Sequence, residues 1–257
     1  MADRRVDWPD YLAGFHAARP GVVEDVLSRA FRAEQTPYQW LSRAVSPDAA
    51  VVVDLASGSG PVARELTRPG RTVVGLDLSD AELRLAQRRG AGPLVRADAR
   101  VLPLRDGSVD VVTSALGLVV VQPLATVVAE VARVLRPGGV LAAIAPAVRP
   151  MAPADLRQLG QLNVRLRAKP RFPGPVELTG FKKVLDEQGM KVVEDKRERY
   201  RFTITTSDDA ALLLSALYLP FTPPTRVAAA LDYLSEAAER RGGVDIAVPV
   251  RRLVAIK

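Results

Sequence analysis

Short runs of β-branched and aliphatic residues recur through the middle of the chain, separated by stretches with a helical repeat. Residues 51–55, 72–76, 93–97, 109–113 and 140–145 have the continuous apolar character of strands buried on both faces. Between them, 61–67, 80–89 and 124–135 repeat their apolar positions every three to four residues. Ser79 and Glu82 have the spacing of a capping box before the second of these helices, and Gly138-Gly139 stops the third. Strands alternating with helices in this way predict βαβ units, and therefore a mostly parallel sheet with right-handed crossovers.

The flanks read differently. Trp8, Tyr11, Leu12 and Phe15 mark one face of a first helix, which Pro20-Gly21 ends. Val22, Val23, Val26, Leu27 and Ala30 mark a second, and Pro37 opens a third with Tyr38, Trp40 and Leu41. This arm, residues 1–50, is expected either to close over a pocket as a lid or to cap one face of the sheet. After residue 146 the pattern predicts helices over 155–167 and 176–188, then a long polar strand over 191–205. Two helices follow within 208–240, broken at Pro220 to Pro224, and a strand over 246–256 closes the chain. No repeat or low-complexity linker interrupts it. The reading is one domain over 1–257: the arm, a core at 51–146 and a substrate-side region at 147–257.

Composition narrows the chemistry. The chain has 257 residues, 48% of them apolar, which is ample for a core. It has no cysteine and one histidine, His16, so thiolate and multi-histidine metal sites and cysteine nucleophiles are excluded; no metal is expected. The net charge of +7 comes mostly from scattered arginines, without a basic block or a nucleic-acid module, so no nucleic-acid partner is expected. No apolar run approaches the roughly 20 residues of a membrane span, and Met-Ala-Asp-Arg-Arg lacks an apolar leader, which points to the cytoplasm.

One stretch organises the rest. Val51-Val52-Val53 runs into Asp54, then Leu55-Ala56-Ser57-Gly58-Ser59-Gly60, and Pro61 occupies what would be the first helical position. Gly58, Gly60 and Ala63 fit the spacing of a nucleotide-binding turn, although an ordinary tight strand-to-helix turn can look the same. Asp77 ends the second strand, where a carboxylate can accept both ribose hydroxyls of an adenine nucleoside; NAD and S-adenosylmethionine (SAM) fit equally. Asp98 ends the third strand and could accept an adenine amino group beside the backbone N–H of Ala99.

With Leu102-Pro103, Asp106-Gly107-Ser108, Asp110-Val111-Val112 and Leu135-Arg136-Pro137-Gly138-Gly139 added, the stretch from about 50 to 146 resembles the class I SAM-dependent methyltransferases, and in particular their small-molecule, quinone-biosynthesis branch. The resemblance implies a Rossmann-like α/β fold: a seven-stranded, mostly parallel sheet with its last strand antiparallel, here with the N-terminal helical arm and a helical insertion before that last strand. It implies that Gly58 and Gly60 approach the methionine part of SAM, with Asp54, Ala56 and Ser57 in the same loop. It further implies that Asp77 and Leu78 lie at the ribose, Asp98 and Ala99 at the adenine, and Ser114 near the sulfonium. The family usually has glycine where Ala56 stands. Because alanine resists positive φ, a wider or shifted loop is expected. Charge favours SAM over a dinucleotide: Asp54, Asp77 and Asp98 suit a cation, and the loop offers no lysine to a pyrophosphate.

The activity this implies is in-line transfer of a methyl group to an O, N or C atom of a small-molecule acceptor, leaving S-adenosylhomocysteine. The alternatives are action on RNA or protein, or SAM binding without catalysis. His16 is the candidate base, against the plainer reading that it caps the end of its helix. Tyr11, Arg19 and Tyr38 are candidate substrate contacts, against packing and helix-end pairing. Leu212, Leu213, Leu214, Leu217, Tyr218, Leu219 and Phe221 form an apolar run that could be core, line an acceptor cavity or make a homodimer face.

Overall fold

Side chains alternate between the two faces of every central strand, and that alternation builds the fold. Val52, Val111, Ala142 and Ile144 enter one apolar core, while Val53, Val112, Leu141 and Ala143 enter another on the opposite face. The computed structural model describes residues 5–257. Met1 to Arg4, most of the segment read above as lacking a leader, lie outside the described residues.

The arm comprises α1 (Trp8–Ala18), α2 (Val22–Leu27), a two-residue strand β1 (Ala30–Phe31) and α3 (Pro37–Ser42). The core follows as β2 (Val51–Leu55), α4 (Pro61–Leu66), β3 (Thr72–Asp77), α5 (Asp80–Arg88), β4 (Leu94–Arg96), β5 (Val109–Ala115), α6 (Gly117–Val120), α7 (Leu124–Val134) and β6 (Leu135–Pro146). The last third holds α8 (Pro153–Leu166), α9 (Phe181–Glu187), β7 (Lys191–Ile204), α10 (Ser207–Ser215), α11 (Pro224–Arg241) and β8 (Val244–Ile256).

The strands form one sheet in the order β1-β7-β8-β6-β5-β2-β3-β4. β4, β3, β2, β5 and β6 run parallel, and β8 lies antiparallel between β6 and β7. The expected antiparallel last strand is therefore present. The strand count is eight instead of seven, because β1 pairs antiparallel with β7 through Ala30–Phe202 and Phe31–Arg201. Two residues are too few to leave a periodic signal in a sequence. The helix expected over 176–188 is also interrupted: Glu177 and Leu178 have positive φ, and α9 starts only after Gly180, at φ 78°.

Helices cover both faces. α7 and α9 lie on the core containing Val53, Leu76 and Val112; α2 and α3 of the arm, α4, α8, α10 and α11 lie on the core containing Val52, Tyr200 and Phe202. Leu213 and Leu214 of the apolar run enter this second core, and Tyr218 sits in a small cluster with Phe15 and Val22, so most of the run serves packing. Among the described residues no helix is long and apolar enough to cross a membrane.

Tyr200 is fully buried between these layers, yet its hydroxyl has no hydrogen-bond partner. An unpaired buried hydroxyl is destabilising. Tyr200→Phe should therefore raise the urea midpoint, by a free energy of about 1 kcal/mol.

Candidate active site

The site grows from the carboxyl ends of β2, β3 and β5, where the chain leaves the sheet. Asp54, 1% exposed, lies beside Thr113 of β5, whose hydroxyl donates to Asp54 Oδ1 at 2.9 Å. Asp54 Oδ2 is buried without a hydrogen bond, as is the Ser57 hydroxyl. Burial, aided by the charge of Asp77, pushes the Asp54 carboxyl up to about 7, against the opposing pull of the Thr113 bond and the Ala63 amide.

The loop that follows is a sharp left-handed turn. Ala56 takes φ 53°, Gly58 φ 53° and Gly60 φ 80°. Ala56 itself adopts the left-handed conformation, at a cost of roughly 1–3 kcal/mol. Space for its methyl group comes from across the site, since a Cβ on Gly117 would lie 2.6 Å from both Ala56 Cβ and Ser114 Oγ. Gly60 has a second reason to lack a side chain, because its Cβ would lie 2.5 Å from that of Ala91.

Asp77 secures the loop. Its Oδ2 accepts from Gly58 N at 2.8 Å and its Oδ1 from Ser79 N at 2.8 Å. Desolvation raises its pKa even so. Leu78 follows, 57% exposed. Asp98 receives Nε and Nη2 of Arg100 in a two-pronged pair, which lowers its pKa, and Ala99 is buried beside it. Ser114 does not present its hydroxyl outward: it is fully buried and donates to Leu55 O at 3.0 Å.

The arm lies against α5, next to this loop. His16 does not cap its helix; its Nδ1 lies 2.8 Å from Glu82 Oε1 and its Nε2 2.9 Å from the Tyr218 hydroxyl. Glu82 Oε2 accepts from Gly21 N at 3.0 Å. The capping box read at Ser79 is thus half made: Ser79 Oγ accepts from Glu82 N, while the Glu82 carboxylate turns to the arm. Tyr11 accepts from Leu219 N at 2.9 Å and packs edge-on to Tyr218. Arg19 donates to Ser215 O and lies over the Phe15 ring. Tyr38 is buried beside a cavity of about 500 Å³ that Thr36, Pro61 and Arg64 also line, and burial together with the nearby charges of Glu24, Asp54 and Glu82 holds its pKa well above the usual value. Sequence reasoning missed Glu24, whose buried carboxylate accepts from the Ser59 hydroxyl at 2.5 Å and pairs with Arg64 and Arg89. Nothing in its helical context distinguishes it from a surface glutamate.

Comparison with known proteins gives likenesses of sequence and of fold. Residues 53–143 match the family model of a methyltransferase domain. A demethylmenaquinone methyltransferase from Corynebacterium kroppenstedtii is 41% identical over 88 residues, 34% of this chain and 38% of that protein. Another from Thermobifida fusca is 34% identical over 145 residues, 53% of this chain and 61% of that protein. The chain thus spans only about two fifths to three fifths of these relatives' length. Haemonchus contortus phosphoethanolamine N-methyltransferase 2, solved with phosphomonomethylethanolamine and S-adenosylhomocysteine, shares the fold at a TM-score of 0.58 and 15% identity, over 99% of this chain and 61% of that one. Residues 53–143 are thus similar to a methyltransferase domain, within a fold shared with solved methyltransferases. The sequence likeness is to the quinone-type methyltransferases.

Asp54 gives the core a pH signature. Its pKa in the fold lies above the ordinary 3.8, so the folded state keeps a proton that the unfolded chain has lost. Stability without ligand should fall as pH rises from about 4 to about 7 and level off above. Each pKa unit corresponds to about 1.4 kcal/mol. Asp54→Asn should flatten this slope and be more stable than the wild type at pH 8, with the two similar near pH 4, in urea titrations at both pH values.

Proposed function

We propose that this protein is a SAM-dependent methyltransferase acting on a small molecule with an apolar, aromatic or quinone-like body. The observation that carries the reading is the pair of desolvated carboxylates, Asp54 and Asp77, flanking a loop that has no lysine or arginine. Such a site fits a cationic ligand rich in O–H and N–H donors, and it disfavours a pyrophosphate. Asp54 and the loop from Ala56 to Gly60 would hold the amino-acid end of SAM, and Asp77 the ribose hydroxyls, exchanging its bond to Gly58 for them. Leu78 and Ala99 would border the adenine. Asp98 would reach it only by sharing its carboxylate with Arg100.

When bound, SAM supplies a methyl group on an activated sulfonium, so the protein's tasks are alignment of the acceptor, exclusion of water and, for a protonated acceptor, removal of a proton. The arm supports the second and third. Tyr11, Phe15, Phe172 and Tyr218 form an aromatic cover beside the loop, suited to the flat body of a quinone-like acceptor. His16, placed in that cover, is the candidate base. The likeness to demethylmenaquinone methyltransferases favours an acceptor of this kind.

Calorimetry tests the cofactor. SAM and S-adenosylhomocysteine should bind at micromolar concentrations, NAD(H) should not, and Asp77→Ala should lose the binding; NAD(H) binding alone would end this reading. In turnover assays with demethylated quinones, His16→Ala should reduce kcat roughly 10²-fold while leaving SAM affinity intact.

A further inference from the structure

Glu82 is a buried carboxylate, 4% exposed, whose partners come from the arm. A carboxylate only accepts hydrogen bonds, so the 2.8 Å contact requires a proton on His16 Nδ1. In the neutral ring Nε2 is then the acceptor, and the 2.9 Å contact is a bond donated by the Tyr218 hydroxyl. The second Glu82 oxygen takes the Gly21 amide, at a turn that glycine alone fits: its φ is 78°, and a Cβ there would lie 2.5 Å from Leu85. Capping does not need this carboxylate, because Asp77 already accepts from Ser79 N. Tyr218 is held edge-on by Phe15, with ring centroids 4.6 Å apart, and by Phe172 at 5.6 Å, and its oxygen keeps lone pairs beyond the bond it donates.

We propose that Tyr218, His16 and Glu82 form a proton relay in which Tyr218 meets the acceptor, His16 is the base and Glu82 is the positioning residue that sets the tautomer of His16. The proposal rests on the methyltransferase reading above and assigns that site two further residues. The acceptor's proton passes to the Tyr218 oxygen as the Tyr218 proton passes to His16 Nε2. The imidazolium stays against Glu82 until it releases a proton to water, so no charge is stranded in the cover. Glu82 from α5 and Tyr218 after α10 bond His16, Asp77 from the end of β3 interacts with it through charge, and Tyr11 and Asp77 act on Tyr218.

His16 is the only histidine in the chain, so histidine-selective ¹⁵N labelling of the untagged protein gives a single imidazole spectrum. The wild type should display the Nδ1–H tautomer, Glu82→Gln a mixture of tautomers, and Tyr218→Phe an Nε2 resonance shifted by loss of its donor. Glu82→Gln should lower kcat roughly 10²-fold, move the acidic limb of the pH–rate profile to lower pH, and leave the KM for SAM within a few-fold. An Nε2–H tautomer in the wild type would overturn the relay. So would a Glu82→Gln protein that keeps the wild-type tautomer and pH profile and loses only thermal stability, which would make Glu82 a purely structural fastening for the arm. The tautomer is readable without turnover, and SAM binding is measured separately. Failure of the relay is therefore distinct from failure of the methyltransferase reading.

Discussion

A carboxylate held out of water without a cation is the constraint around which this molecule is arranged. Asp54 sits at the end of the central strand, where two parallel neighbours and the helix after the loop exclude solvent. Thr113 satisfies one of its oxygens and nothing satisfies the other. Such a group is tolerable neutral or beside a positive ligand, and uncomfortable otherwise. The loop draws its shape from the same place: three residues at positive φ bend the backbone sharply, and Asp77 ties the middle of the turn to the next strand. A cationic ligand placed there would meet a buried carboxylate beside a backbone already bent.

The arm depends on this corner in turn. α2 has only six residues and α3 six, too short to persist alone. What orders them is docking. Glu24 joins α2 to the loop hydroxyl of Ser59 and to Arg64 and Arg89 on the following helices, and Glu82 receives the α1–α2 turn. Glu24 therefore couples the arm to the glycine loop, and Glu82 couples it to α5. Any ligand that shifts the loop bears directly on the cover.

Much of this architecture was legible because it rests on repeated local signals. Runs such as Val51-Val52-Val53 and Val111-Val112 mark buried strands, Gly58 and Gly60 mark the turn, and Asp77 falls at a strand end by counting alone. What stayed hidden was long-range. Glu82 looks the same in sequence whether it closes a capping box or reaches an arm 61 residues away at Gly21. Tyr218 was submerged in a leucine-rich run whose other members do serve the core. The hydroxyl of Ser114 turned inward, and the methyl group of Ala56 found room at Gly117, through contacts between segments that the chain order keeps apart.

The outer border of the sheet carries its own consequence. β1 covers only Arg201 and Phe202 of the fourteen-residue β7, so most of that strand presents unpaired backbone to solvent. Its sequence there is Glu194-Asp195-Lys196-Arg197-Glu198-Arg199, in which opposite charges crowd the border. A second strand approaching it would have to match or bury those charges, and the opposite border, β4, is only three residues long. A strand joining either rim would thus meet a charged border on one side and a very short one on the other.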